Sequence, residues 1–403
     1  MGEADRGARQ RLSKSSTKAS RVANGGRSAL TVERTLAEII GSGAISRSDL
    51  TVSLAASKAS ISRLVDRLIR RGWVSEGAPV RVAERGRNAT TLLVQHDLGY
   101  AIGADLEGLA IRVCLFDCQL NVIKSRKRLV DPEWSTERII AQWRSLIADV
   151  IESAGVPREK LIGLGLALPW IPADGAEEVR SHLSAGSPVR FNVSEALGDI
   201  GVPIVASDNT LCVSDYERRF GVATGEASFA SILVRFGVGA AVYHRGRFVV
   251  GEDSPCSELG HVRVAQEGEK CICGATGCLD PLVSGRTWLP ESGRTGVSWE
   301  RELAERAHHL GVGIAHLLKI IYAPVVVLNG VYNAYEDRVG REIRESLAAE
   351  LDPHGLPVPE VRMGDELEYK ACIGAGLRAI DQRLDGYLAG LDTGLSGSSL
   401  HES

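Results

Sequence analysis

Four side chains in one short stretch could hold a metal ion. His261, Cys271, Cys273 and Cys278 offer one imidazole and three thiolates, the soft nitrogen and sulfur set of a closed tetrahedral zinc site. Gly274 and Gly277 let the backbone turn tightly enough for Cys273 and Cys278 to reach one ion. With all four positions filled, such an ion has no place for water, and its role is structural. A disulfide is the competing chemistry, but the Cβ atoms of a Cys-x-Cys pair point apart. Glu258 and Asp280 flank the ligands. They are either helix caps and surface charge, or a pair of acceptors for hydroxyl groups that the metal cluster orients.

The chain that positions these groups has 403 residues, 44% of them hydrophobic and 24% charged. That length suits two or three domains of a soluble globular protein. No apolar run approaches the ~18 residues of a membrane span, so no membrane partner is expected. The start lacks the apolar core of a signal peptide. Eight cysteines without an export signal point to a reducing cytoplasm. The net charge of -4 hides an asymmetry: residues 1–95 carry 17 Lys and Arg against 8 Asp and Glu. A basic first part on an acidic body implies that one end meets a polyanion.

Residues 1–28 have too few large apolar side chains to bury a core, which predicts a disordered basic tail. Residues 29–95 read as three helices and a hairpin. Leu36, Ile39 and Ile40 form one apolar face, Ser46 opens a second helix with a capping box, and Ser57 caps a third. Ile61, Leu64, Val65, Leu68 and Ile69 give that third helix its buried face and leave Lys58, Ser60, Ser62, Arg63 and Arg67 off it. Arg85 and Arg87 tip the hairpin. This is the pattern of a winged helix-turn-helix whose third helix enters the major groove of double-stranded DNA, with the wing on phosphates or the minor groove. A three-helix module for protein contacts is the alternative.

Residues 96–393 change periodicity. Paired strands, a helix over about 135–154 and a strand over 161–168 form one block. Strands near 229–250, a helix over about 299–322 and a strand over 325–329 form a similar second block. Helices near 335–351 and 368–384 close the fold, and the Ser- and Gly-rich residues 394–403 read as a flexible tail. Two such lobes around a cleft are the architecture of actin-like sugar kinases.

At this point the residues resemble the ROK family of bacterial repressors and sugar kinases. The resemblance rests on Glu258-x-Gly-His261 followed by Cys271-x-Cys273-Gly-x-x-Gly-Cys278, and it covers nearly the whole chain after the basic tail. Ser57-Lys-Ala-Ser-Ile-Ser-Arg63 and Arg85-Gly-Arg87 resemble the repressor branch. The resemblance implies an α/β fold class: a winged helix-turn-helix followed by a two-lobed actin-like (ribonuclease H-like) ATPase-type fold. It implies zinc on the four ligands, and sugar contacts from Glu258, His261, Asn209 and Asp280, the last where the family usually carries Glu. The kinase parts depart from the family. Asp105-Leu-Glu107-Gly108-Leu109-Ala110 replaces the Asp-x-Gly-Gly-Thr-Lys phosphate loop, and Pro169-Trp170 replaces a Pro-Gly turn. The catalytic base position falls on Asn209 when counted from Glu217, and on Asp208 after a one-residue shift. The implied function is a cytoplasmic, sugar-responsive DNA-binding regulator and not an enzyme: a repressor, released by a sugar effector and acting as a homodimer or higher homo-oligomer. The alternative is an active ATP-dependent sugar kinase.

Overall fold

The Thr31 hydroxyl accepts the Arg34 N–H and caps helix α1 (Val32–Ser42). The computed structural model describes residues 31–43, 45–81, 88–107, 110–131, 133–169, 178–181, 189–249, 258–285, 296–365 and 367–397. The basic tail expected over 1–28 lies outside these. After α1 come β1 (Ile45–Ser46) and α2 (Arg47–Ser53), which Ser46 and Asp49 open with a reciprocal capping box. Helix α3 (Lys58–Arg70) starts where the Ser57 hydroxyl accepts the Ser60 N–H. Strands β2 (Val74–Arg81) and β3 (Asn88–Val94) complete an antiparallel sheet in the order β1-β3-β2. Leu36, Ile39, Leu50, Ile61, Leu68 and Leu92 close its core.

Two lobes follow. The first holds β4 (Tyr100–Glu107), β5 (Ala110–Asp117), β6 (Val122–Leu129), α4 (Thr136–Ala154) and β7 (Leu161–Leu168). A small hairpin, β8 (Glu178–Ser181) and β9 (Val189–Asn192), then leads through α5 (Val193–Leu197) to β10 (Ile204–Asp208) and α6 (Asn209–Arg219). The second lobe holds β11 (Ser228–Val234), β12 (Val238–His244), β13 (Arg247–Phe248), α7 (Leu279–Val283), α8 (Val297–Ile320), β14 (Val325–Gly330), α9 (Glu336–Leu351) and β15 (Glu360–Met363). Helix α10 (Lys370–Gly397) then returns to the first lobe.

The two lobes repeat one sheet. The orders β10-β7-β4-β5-β6 and β15-β14-β11-β12-β13 match strand for strand, with three antiparallel strands extended by parallel ones. The carboxyl ends of the parallel strands are where such sheets bind ligands. Asp105, Asp208 and Asn329 stand at those ends, and Arg235 directly follows β11.

Helix α10 crosses the first sheet at backbone contact. A Cβ on Gly103 would lie 1.8 Å from the Cys372 carbonyl oxygen, and one on Gly165 would lie 2.0 Å from that of Ala375. The helix also runs past the expected end near 384. Leu388 is 2% exposed against the N-terminal module, so the apolar face continues, and residues 394–397 are helical instead of belonging to a terminal tail. The short strands β10 and β15 have no strong alternation of their own and gain their form from parallel neighbours.

Gly165→Val is expected to cost about 3 kcal/mol of unfolding free energy, because no rotamer avoids the α10 backbone. Gly198→Ala, which meets nothing within 4 Å, is expected to be neutral or slightly stabilising. Urea unfolding of both variants separates these outcomes.

Candidate functional site

The metal-ligand set is built by two tight turns. Glu258 opens a 3-10 turn over Leu259–His261; the Cys271 N–H then bonds the Ala275 carbonyl, the Gly274 N–H bonds that of Cys271, and the Leu279 N–H returns to the Val262 carbonyl just after the first turn. Gly274 and Gly277 have φ of 90° and 78°, a left-handed region that a larger residue enters only with strain. A Cβ on Gly277 would also lie 1.9 Å from the Ala265 carbonyl oxygen.

One atom each from His261, Cys271, Cys273 and Cys278 converges within 4.8 Å. The Cys273 and Cys278 sulfurs are 3.7 Å apart, and His261 Nδ1 is 3.4 Å from the Cys271 sulfur. A tetrahedral ion with metal–sulfur bonds of about 2.3 Å needs ligand atoms about 3.8 Å apart, so the donors fit such an ion in number, type and spacing. Burial raises the Cys271 thiol to about 12, whereas N–H donation from Ala275 lowers Cys273. A cation among these sulfurs supplies the charge that makes all three thiolates at neutral pH.

His261 turns its other nitrogen outward, with Nε2 3.7 Å from Glu258 Oε2. Asp280 lies in the first turn of α7, 4% exposed. Burial raises the Glu258 carboxyl, His261 acts against that, and the Asp280 charge adds to it. Glu258, His261 and Asp280 therefore share one charged neighbourhood beside the four clustered donors. Two glycines press this group against the second lobe's sheet: a Cβ on Gly260 would lie 3.2 Å from that of Asp280, and one on Gly237 would lie 3.6 Å from Asp280 Oδ1.

The first turn of α6 approaches from the other lobe. A Cβ on Gly239 of β12 would strike the Thr210 hydroxyl. Asp208 ends β10 and accepts the N–H groups of Thr210 at 2.7 Å and Leu211 at 3.3 Å, so one of its oxygens caps the helix. Asn209 is the first helical residue and is 4% exposed. Position therefore distinguishes the two base candidates: Asp208 is at the strand end and Asn209 is in the helix.

Two buried charge clusters that the sequence reading did not single out join the lobes, through Arg235 and Asn329 of the second lobe. Arg235 Nη1 is 3.2 Å from Asp105 Oδ2, and Arg112 Nη1 is 3.4 Å from the same oxygen. Asp105 is fully buried. Lys370, at the start of α10, grips Glu217 of α6 and lies 2.9 Å from Asn329 Oδ1 of β14. Burial pushes the Glu217 carboxyl up and the Lys370 ammonium down, and each charge opposes the shift of the other. An arginine closing the apolar run Ser231-Ile-Leu-Val-Arg235, just before a glycine turn, was the available signal for the first pair.

On the N-terminal module, Lys58, Arg63, Arg67 and Arg70 of α3 are exposed, and Arg63, Arg67 and Arg70 lie opposite its buried stripe. Ser60 is half-buried, its hydroxyl 2.9 Å from that of Ser57. Ser62 is held inside the module by Arg47 at 3.2 Å, which also pairs with Asp66 and Glu76. Arg85, Arg87, residues 108–109, the Glu107 side chain and Trp170 fall outside what the structure describes. Among the described residues no helix is long and apolar enough to cross a membrane.

The family model described as "ROK family" matches residues 101–377. An N-acetylglucosamine repressor from Escherichia coli O6:H1 is 25% identical over 245 residues, covering 60% of this chain. The chain thus spans 59% of the length of that relative. Among solved structures, a ROK family transcriptional regulator described as a homologue of the E. coli MLC protein superposes with a TM-score of 0.65 at 17% identity, covering 89% of this chain and 98% of its own. The ROK hexokinase of Thermus thermophilus superposes with a TM-score of 0.55 at 26% identity, covering 71% and 100%.

Elemental analysis of the purified protein is expected to find one divalent ion per chain, lost in Cys278→Ser. Its removal by a chelator should lower the melting midpoint by at least about 5 °C, since binding energy at such a site is folding energy. An unchanged midpoint would mean the segment holds its shape without an ion.

Proposed function

The chain belongs to the ROK family, and from that premise we propose that it is a sugar-responsive transcriptional regulator: a repressor of the cytoplasm that leaves its operator when a sugar fills the cleft. The N-terminal module acts as a winged helix-turn-helix. Helix α3 enters the major groove with Lys58 and Ser60 at its start, while Arg63 and Arg67 reach base edges or phosphates. Arg85 and Arg87 serve the wing. Two copies on a two-fold axis read a pseudo-palindromic site. Zinc is the ion of the His261, Cys271, Cys273 and Cys278 cluster, and it holds Glu258 and His261 in position. With Asp280 and Asn209 these accept and donate hydrogen bonds to sugar hydroxyls.

The observation that carries the reading is the basic, solvent-facing side of α3 on a module that shares a core with the first lobe and α10. The repressor relative and the regulator structure support it. The reading gives up phosphoryl transfer. That reaction depends on positioned donors around the phosphates, and here Arg235 and Arg112 are committed to Asp105 instead.

An active sugar kinase is the second reading. The hexokinase neighbour and the strand-end position of Asp208 favour it. Sugar-dependent ADP formation that disappears in Asp208→Asn would establish it over the first.

If α3 reads DNA, Arg63→Ala and Arg67→Ala should each weaken operator binding about tenfold, and a lost phosphate contact should reduce the slope of log affinity against log salt by about 1. Fluorescence anisotropy with DNA from upstream of the gene at several salt concentrations measures both. Equal affinity and slope in wild type and the double variant would remove α3 from the interface.

A further inference from the structure

Helix α6 touches the cleft at one end and the N-terminal module at the other. Its first turn carries Asn209 and Thr210 and is capped by Asp208. Its eleven residues rise about 16 Å. At the far end Arg219, 11% exposed, bonds Asp215 at 3.1 Å and pairs with Asp381 of α10. The same guanidinium lies against Gly41 in the last turn of α1: a Cβ there would be 2.0 Å from Arg219 Nη1. A cation at that place also meets the negative end of the α1 dipole.

The connection has little slack. The Ser214 hydroxyl bonds back to the Thr210 carbonyl at 2.6 Å, and a Cβ on Gly374 of α10 would lie 1.9 Å from the Cys212 carbonyl oxygen. Backbone therefore rests on backbone where α10 crosses α6 at Gly374, and Cys212 and Val213 pack with Ala371 and Ala375 beside that crossing. Helix α10 also reaches the module, but it begins at Lys370, which grips Glu217 of α6. The start of α10 is thus tied to α6. Contacts from the first lobe hold the module elsewhere: Gln119 Nε2 bonds the Val94 carbonyl at 2.8 Å and Lys160 pairs with Asp97 at 3.3 Å. These contacts involve no candidate ligand residue.

We propose that α6 is a rod that carries the ligand state of the cleft to the DNA-binding module, and that Arg219 is the positioning residue that meets the module at Gly41. The ligand half of this statement rests on the sugar reading given above. A sugar that draws Asn209 and its turn toward Glu258 and Asp280 moves Arg219 beneath α1, while the other anchors hold. The module then tilts relative to its two-fold partner and the operator fit is lost. Such coupling requires only that the sugar prefer one placement of α6 over the other.

Hydrogen exchange on the full chain tests the rod without any ligand. Gly41→Ala forces Arg219 aside. The rod predicts that exchange of the Thr210 and Leu211 amides, at the opposite end of α6, speeds by about tenfold as their cap loosens. Asp381→Asn, which frees Arg219 from α10 without adding bulk, should do the same and serves if Gly41→Ala does not fold. Exchange changed only around residues 41 and 219 in both variants would overturn the rod. A second arm adds millimolar N-acetylglucosamine or xylose to the operator complex. Weakening by either sugar in wild type, lost in Asp381→Asn while calorimetry still records sugar binding, supports the rod. If neither sugar changes wild-type affinity, the sugar reading is what fails, and the exchange result still decides for or against the rod.

Discussion

Helix α10 lies on strands β4 and β7 because Gly103 and Gly165 present no side chain to it. That contact, backbone on backbone, governs the rest of the molecule. It brings Ile373, Leu377, Ile380 and Leu384 into one core with Leu36, Ile40 and Leu68 of the N-terminal module and with Phe116 and Ile162 of the first lobe. Burial of this kind, about 25 cal/mol for each Å² of apolar surface, makes the module part of the first lobe and not a bead on a tether. A displacement in that lobe has to be felt in the module.

Between the lobes buried charge is added to apolar contact, where Leu233 packs with Ala167 and Val213 and Leu211 packs with Ala241. Asp105 with Arg112 and Arg235, and Lys370 with Glu217 and Asn329, bring buried ions together from elements on both sides. Pairs of this sort add little net stability, but breaking one leaves an uncompensated buried charge, which costs several kcal/mol. They therefore favour a discrete arrangement of the lobes over a continuous range. A ligand that binds between Glu258 and Asn209 acts on a structure with few available states, which is what a switch requires.

How much of this could be read from the chain depended on sequence distance. The clustering of the four donors was legible because three of them fall within one glycine turn, and spacing alone constrains where their sulfurs can go. The helices were legible from their stripes and caps: Ser46, Ser57 and Ser135 each bond the backbone of the turn they open. The repeated sheet could be glimpsed in the recurrence of paired strands followed by a helix. Pairing across long separations could not. Arg235 and Asp105, or Lys370 and Glu217, are neighbours only because two sheets and a returning helix make them so. Ser62 looked free because it falls off the apolar stripe, yet Arg47 from the preceding helix holds it. The extra turns of α10 were missed for a related reason: their apolar face is completed by the module at the other end of the chain.

The central claim is that one ligand-bearing cleft governs one DNA-binding module. Titration of the full chain against DNA from upstream of its own gene, with and without a panel of neutral sugars, tests it most directly. The account predicts specific binding that one sugar weakens by tenfold or more, the scale of about 1.4 kcal/mol of coupling. Specific binding that no sugar alters, together with sugar-dependent ATP turnover by the same preparation, would contradict it.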